Sequence, residues 1–96
     1  MSPKKHIELN KLRNKLDKLD DSFIKLIKKR SDLVKKVLKL KKYKNQIVDK
    51  KRIKTILSKV KKKSIRNKID PKITNRIWKN MIWSYINYEK KKFKKK

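Results

Sequence analysis

Residues 9–40, LNKLRNKLDKLDDSFIKLIKKRSDLVKKVLKL, decide how this chain folds. Leu9, Leu12, Leu16, Leu19, Phe23, Leu26, Arg30, Leu33, Val37 and Leu40 follow one another at alternating intervals of three and four. That spacing returns each side chain to one stripe of an α-helix. At about 1.5 Å per residue, one helix carrying the whole seam is on the order of 50 Å long. A compact globule of this chain length, with a radius of gyration near 13 Å, is only about 26 Å across. The chain cannot cover such a helix by itself, so the seam must pack against another chain.

Working outward, the absence of Gly and the confinement of Pro to positions 3 and 71 favour uninterrupted helices over sheet. The first helix should lose its pattern near Tyr43-Lys44-Asn45-Gln46, after which Ile47-Val48 leads to Asp49, a natural N-cap. Ile53, Ile56, Leu57 and Val60 form the stripe of a second helix that fades in Lys61-Lys62-Lys63-Ser64. A third opens at Asp70-Pro71, where Asp caps the free N–H groups and Pro has none to leave unsatisfied. Its apolar face runs Ile73, Ile77, Trp78, Met81, Ile82, Tyr85, and Glu89 extends the line. The expected fold is all-α, with three helices per chain, the first very long. It comprises an N-terminal tail (1–6), one helical domain (7–89) and a basic C-terminal tail (90–96) with too little apolar content to pack.

Leu, Ile, Val and Phe make up 27 of the 96 residues, above the roughly 20% below which chains stay disordered. There is no Cys, and His6 stands alone, so no metal site is expected. No stretch resembles a membrane span or the apolar core of a signal peptide, which makes the cytoplasm the expected location. The 35 Lys+Arg against 8 Asp+Glu leave a net charge of +27, which invites a nucleic-acid reading. Only five of these cations are Arg, however, and the chain lacks Gly and Ala while being crowded with Lys, Ile and Asn. An AT-rich coding sequence produces that composition, so the charge alone calls for no specific nucleic-acid partner.

More informative are the charges standing where apolar residues belong. Arg30 occupies a seam position, and Lys41 follows eleven residues later, three turns on and rotated by about 20°. Burying two cations costs several kcal/mol unless anions meet them. Either a bound anion meets this pair, or Arg30 pairs with Asp17, Asp20 or Asp21 of a partner helix and fixes register. Arg13 lies seventeen residues before Arg30, about 25 Å away and rotated by about 260°. The two cannot grip one small ligand within one chain. In an antiparallel dimer Arg13 of one subunit can approach Arg30 of the other; otherwise Arg13 is a solvated surface cation.

Leu12-Arg13-Asn14-Lys15-Leu16-Asp17-Lys18-Leu19-Asp20 resembles the opening of the all-helical chorismate mutase family, a Leu-Arg followed by an apolar residue and Leu-Asp. Arg30, Lys41, the pair Asp49 and Arg52, and the stretch from Trp78 to Glu89 follow at the family's spacing, so the resemblance covers Ile7 to Glu89. It implies an intertwined dimer that isomerises chorismate to prephenate in phenylalanine and tyrosine biosynthesis, with no nucleophile, metal or cofactor. It also implies roles: Arg13 of the neighbouring chain and Arg30 on the substrate carboxylates, Lys41 on the ether oxygen and a carboxylate, Asp49 towards the ring hydroxyl, and Arg52 in support. Catalysis then consists of holding the dianion in a compact chair and stabilising charge on the breaking ether oxygen.

Three positions depart from the family pattern. Ile53 stands where a glutamate often holds the ring hydroxyl, and Tyr85 where a small polar residue is common. Glu89 stands where many bacterial members have a glutamine that donates to the ether oxygen, a substitution also typical of fungal mutases. A carboxylate cannot donate, so Glu89 must carry a proton to serve. The alternative on the same scaffold is isochorismate pyruvate lyase, which also has an aliphatic residue at the place of Ile53 and a tyrosine near Tyr85 but resembles the glutamine pattern. A basic helical dimer binding nucleic acid non-specifically is the third reading, and it predicts affinity that collapses with salt.

Overall fold

The computed structural model describes residues 2–94, so Met1 of the expected N-terminal tail and Lys95 and Lys96 of the basic tail lie outside it. Three helices are present, α1 (Pro3–Leu40), α2 (Lys50–Arg66) and α3 (Pro71–Lys92), with a single 3-10 turn at Lys44–Gln46 between the first two. No strand occurs among the described residues. The all-α reading and the long first helix are therefore correct.

The helices run further than the apolar pattern alone predicts. α1 begins at Pro3, inside the stretch read as a tail, because proline in a first turn forfeits no hydrogen bond. α2 continues past Ser64 to Arg66. At the other end α3 reaches Lys92, and Phe93 packs against the core rather than trailing away.

The chain divides into two compact units between Leu33 and Val34. The first consists of the N-terminal part of α1. It buries none of its seam: Leu12, Leu16, Leu19, Phe23, Leu26 and Leu33 are all exposed, Leu19 to 66%. The second unit holds the core, in which Ile47, Ile82 and Ile86 are buried and Leu38, Val48, Ile53, Ile56, Leu57, Trp78 and Phe93 pack against them.

Within this second unit α2 and α3 form a helical hairpin. Its turn closes without glycine. The N–H of Lys68 donates to the Ile65 carbonyl at 3.1 Å and that of Ile69 to the Ser64 carbonyl at 2.9 Å, with Lys68 in the left-handed region at φ 58°. This is the hydrogen-bond pattern of a Schellman cap, whose left-handed position ordinarily falls to Gly. Asp70 then caps α3, accepting from the Lys72 N–H at 3.0 Å, with Pro71 at the first helical position. Below the turn the buried hydroxyls of Ser64 and Thr74 lie 2.6 Å apart and join the two helices, while Ser64 also donates to the Val60 carbonyl at 2.7 Å. The pairing lets two polar side chains sit inside the hairpin without the penalty of unmatched burial.

Candidate active site

The apolar line of α3 ends on an acid. Glu89 follows Ile82 and Ile86 on the same face and is itself only 5% exposed, although nothing in helix propensity puts a carboxylate there. Its partner is Lys41, which stands immediately after the last residue of α1. The Lys41 Nζ lies 3.3 Å from Glu89 Oε2 and 3.5 Å from Oε1, so one ammonium spans both carboxylate oxygens. The Lys41 side chain is 17% exposed. A buried carboxylate without a cation costs several kcal/mol, so the contact accounts for how Glu89 is accommodated. Glu89 is thus buried rather than a surface acid at a helix end.

What brings the pair together is the segment between α1 and α2. Lys41 closes the helix by donating its N–H to the Leu38 carbonyl at 3.1 Å. The next two N–H groups, of Lys42 and Tyr43, both donate to Gln46 Oε1, at 2.7 and 2.9 Å. Gln46 and Ile47 donate in turn to the carbonyls of Tyr43 and Lys44. Ile47, 3% exposed, then drops into the core beside Ile82 and Ile86. Lys35, near the end of α1, sits over the ring of Tyr88, the residue before Glu89, at 5.9 Å.

The remaining site residues have definite but separate places. Asp49 caps α2, its Oδ1 accepting from the Arg52 N–H at 2.9 Å, and the Arg52 side chain is exposed. Tyr85 is half-buried one turn before Glu89 on α3. Ile53 packs on the core. On α1, Arg30 is half-buried and Arg13 exposed. One straight helix holds them about 25 Å apart, and the chain does not bring them together.

An ammonium beside a partly covered acid can bind a carboxylate and polarise an ether oxygen. Around it, residues 34–96 hold 25 of the 35 cations and three of the eight acids, so the unit presents a strongly positive field to an approaching anion. No cluster of three His, Cys, Asp or Glu residues able to hold a metal occurs among the described residues, and no helix there is long and apolar enough to cross a membrane.

Two signals escaped the sequence reading. Gln46 registered only as part of a polar break, although its place three residues after Tyr43 matches the spacing from which a glutamine reaches back to the start of a helical turn. Ser64 stands where the apolar stripe of α2 fades, and its neighbourhood with Thr74 across a short turn marks a buried polar bridge.

No curated protein and no solved structure matches this sequence. A family model does: that of chorismate mutase type II matches residues 12–90. The match takes in the Leu12-Arg13 opening, Arg30, Lys41, the α2 cap and the α3 face as far as Glu89. The chain therefore belongs to the chorismate mutase type II family.

Proposed function

We propose that this protein is a homodimeric chorismate mutase that rearranges chorismate to prephenate, in phenylalanine and tyrosine biosynthesis in the cytoplasm. The observation that carries the reading is the Lys41–Glu89 contact at 3.3 Å. Forty-eight residues separate the two in sequence, and both stand at positions that the family resemblance assigns to the breaking ether bond.

The reaction is intramolecular: the ether C–O bond breaks as a C–C bond forms, with no net proton transfer and no group held by the protein. The catalyst has only to fold the dianion into its chair and offset charge at the ether oxygen. Lys41 donates to that oxygen and to a carboxylate, and Glu89, which pairs with the Lys41 ammonium in the free chain, adds a second donor only when it carries a proton. Arg30 and the partner's Arg13 take the carboxylates, because a planar guanidinium meets a carboxylate with two parallel bonds. Tyr85 can add a phenolic donor. With Ile53 committed to the core, recognition of the ring hydroxyl falls to Asp49, whose cap uses Oδ1 while a carboxylate has a second oxygen to accept with; Arg52 supports it from the next turn. The exposed seam of α1 supports the dimer: large apolar side chains repeated along a long helix find cover in a second copy.

Ile53 and Tyr85 are the observations favouring the sister reaction, release of pyruvate from isochorismate with formation of salicylate. Incubating the protein with chorismate and, separately, with isochorismate decides between them. Prephenate from the first is the expected result. Salicylate from the second, without prephenate from the first, would transfer the site to the lyase.

A further inference from the structure

We infer that Gln46 is a positioning residue for Lys41. The inference rests on the reading of Lys41 as the donor to the ether oxygen. Lys41 is the first residue beyond α1, and a side chain at the end of a helix is only as well placed as the peptide units on either side of it. On the helical side its N–H is fixed to the Leu38 carbonyl. On the other side, the N–H groups of Lys42 and Tyr43 converge on one acceptor, Gln46 Oε1, at 2.7 and 2.9 Å.

Because both donors are consecutive, the single oxygen sets the orientation of the peptide that leaves Lys41 and of the one after it. Gln46 is in turn immediately followed by Ile47, which is 3% exposed and packed with Ile82 and Ile86. These two lie seven and three residues before Glu89 on α3. A short chain of contacts thus runs from the Lys41 backbone through the Gln46 amide and the Ile47 anchor to the helix that carries Glu89. It fixes how far the Lys41 ammonium stands from the carboxylate. Gln46 itself is exposed, so water can replace its two hydrogen bonds at little cost to stability. Its removal therefore loosens Lys41 without unfolding the protein, and a misplacement on the order of 1 Å at a reacting group can cost a hundredfold in rate.

The test compares wild type, Gln46→Ala and Gln46→Glu by amide hydrogen exchange, thermal unfolding and steady-state kinetics with chorismate. Gln46→Ala should speed exchange at the Lys42 and Tyr43 amides by about tenfold or more and lower kcat by about tenfold with a smaller change in KM. Its melting temperature should stay within a few degrees of wild type. Gln46→Glu, which keeps an acceptor oxygen at the same reach, should restore most of both protection and kcat. Unchanged exchange at those two amides would overturn the clasp. Faster exchange with unchanged kcat, or a loss that Gln46→Glu does not rescue, would overturn the positioning role. Failure of wild type to turn over chorismate would remove the reading of the site and the catalytic role with it, and the exchange data would still decide the clasp.

Discussion

Glu89 is a carboxylate where the proposed rearrangement needs a donor. Protonated, it can hydrogen-bond the ether oxygen; ionised, it can only accept, and it repels the dianion. Losing one such donor costs about 3 kcal/mol, roughly a hundredfold in rate. Glu89→Gln always presents a donor and should keep or raise kcat, whereas Glu89→Ala should lower it by about a hundredfold; equal rates in the two variants would remove Glu89 from the ether oxygen. The place of Glu89 on a buried face was legible in the sequence, since it continues the helical line through Ile82 and Tyr85. Its pairing with Lys41 was not legible, because periodicity says which side of a helix a residue occupies and not what lies across from it; the family resemblance only set each of the two at the ether oxygen. Lys41 itself stands just beyond α1 rather than on it, since the seam shows where a helix must run and leaves the last residue open.

At the scale of elements, the starts of α2 and α3 were readable because their chemistry is local. Asp49 and Asp70 cap α2 and α3, as an acceptor side chain before a helical stripe requires. The turn between those helices was not readable, because a glycine-free sequence carries no mark for the left-handed residue. Lys68 at φ 58° bears that conformation at a cost of about 1 kcal/mol. Lys68→Gly should raise stability by up to about 0.5 kcal/mol once the greater freedom of the unfolded chain is counted. A rise of a few degrees in melting temperature would show it, and a fall would mean that the lysine is not strained there. The Ser64–Thr74 bridge gives a second measurement. Ser64→Ala should cost about 1 kcal/mol in urea unfolding, because it leaves the buried Thr74 hydroxyl only its longer bond to the Pro71 carbonyl at 3.2 Å. Replacing both residues, Ser64→Ala with Thr74→Val, should cost less than the sum of the two single changes, and strict additivity would argue against the bridge.

At the scale of the whole molecule, charge and shape both concern what comes from outside the chain. A net charge of +27, concentrated in residues 34–96, should draw a dianionic substrate inwards. Raising salt should then lower kcat/KM while leaving kcat nearly constant, because screening weakens approach more than chemistry inside the site. If both constants fall together, or neither does, the lysines have no part in steering. Shape makes the stronger demand. The seam of α1 was legible from its three-and-four spacing, and the structure leaves that seam exposed along the first unit, with Arg13 and Arg30 held about 25 Å apart on one helix. One chain therefore has no way to close both arginines on one substrate, and the account requires the site to be shared. The direct measurement is to refold an Arg13→Ala chain together with an Arg30→Ala chain and assay chorismate turnover. Each heterodimer carries one intact site and one doubly damaged site, so random pairing in a symmetric dimer should restore about a quarter of wild-type activity. Turnover no greater than the average of the two variants refolded separately would contradict a site completed across subunits.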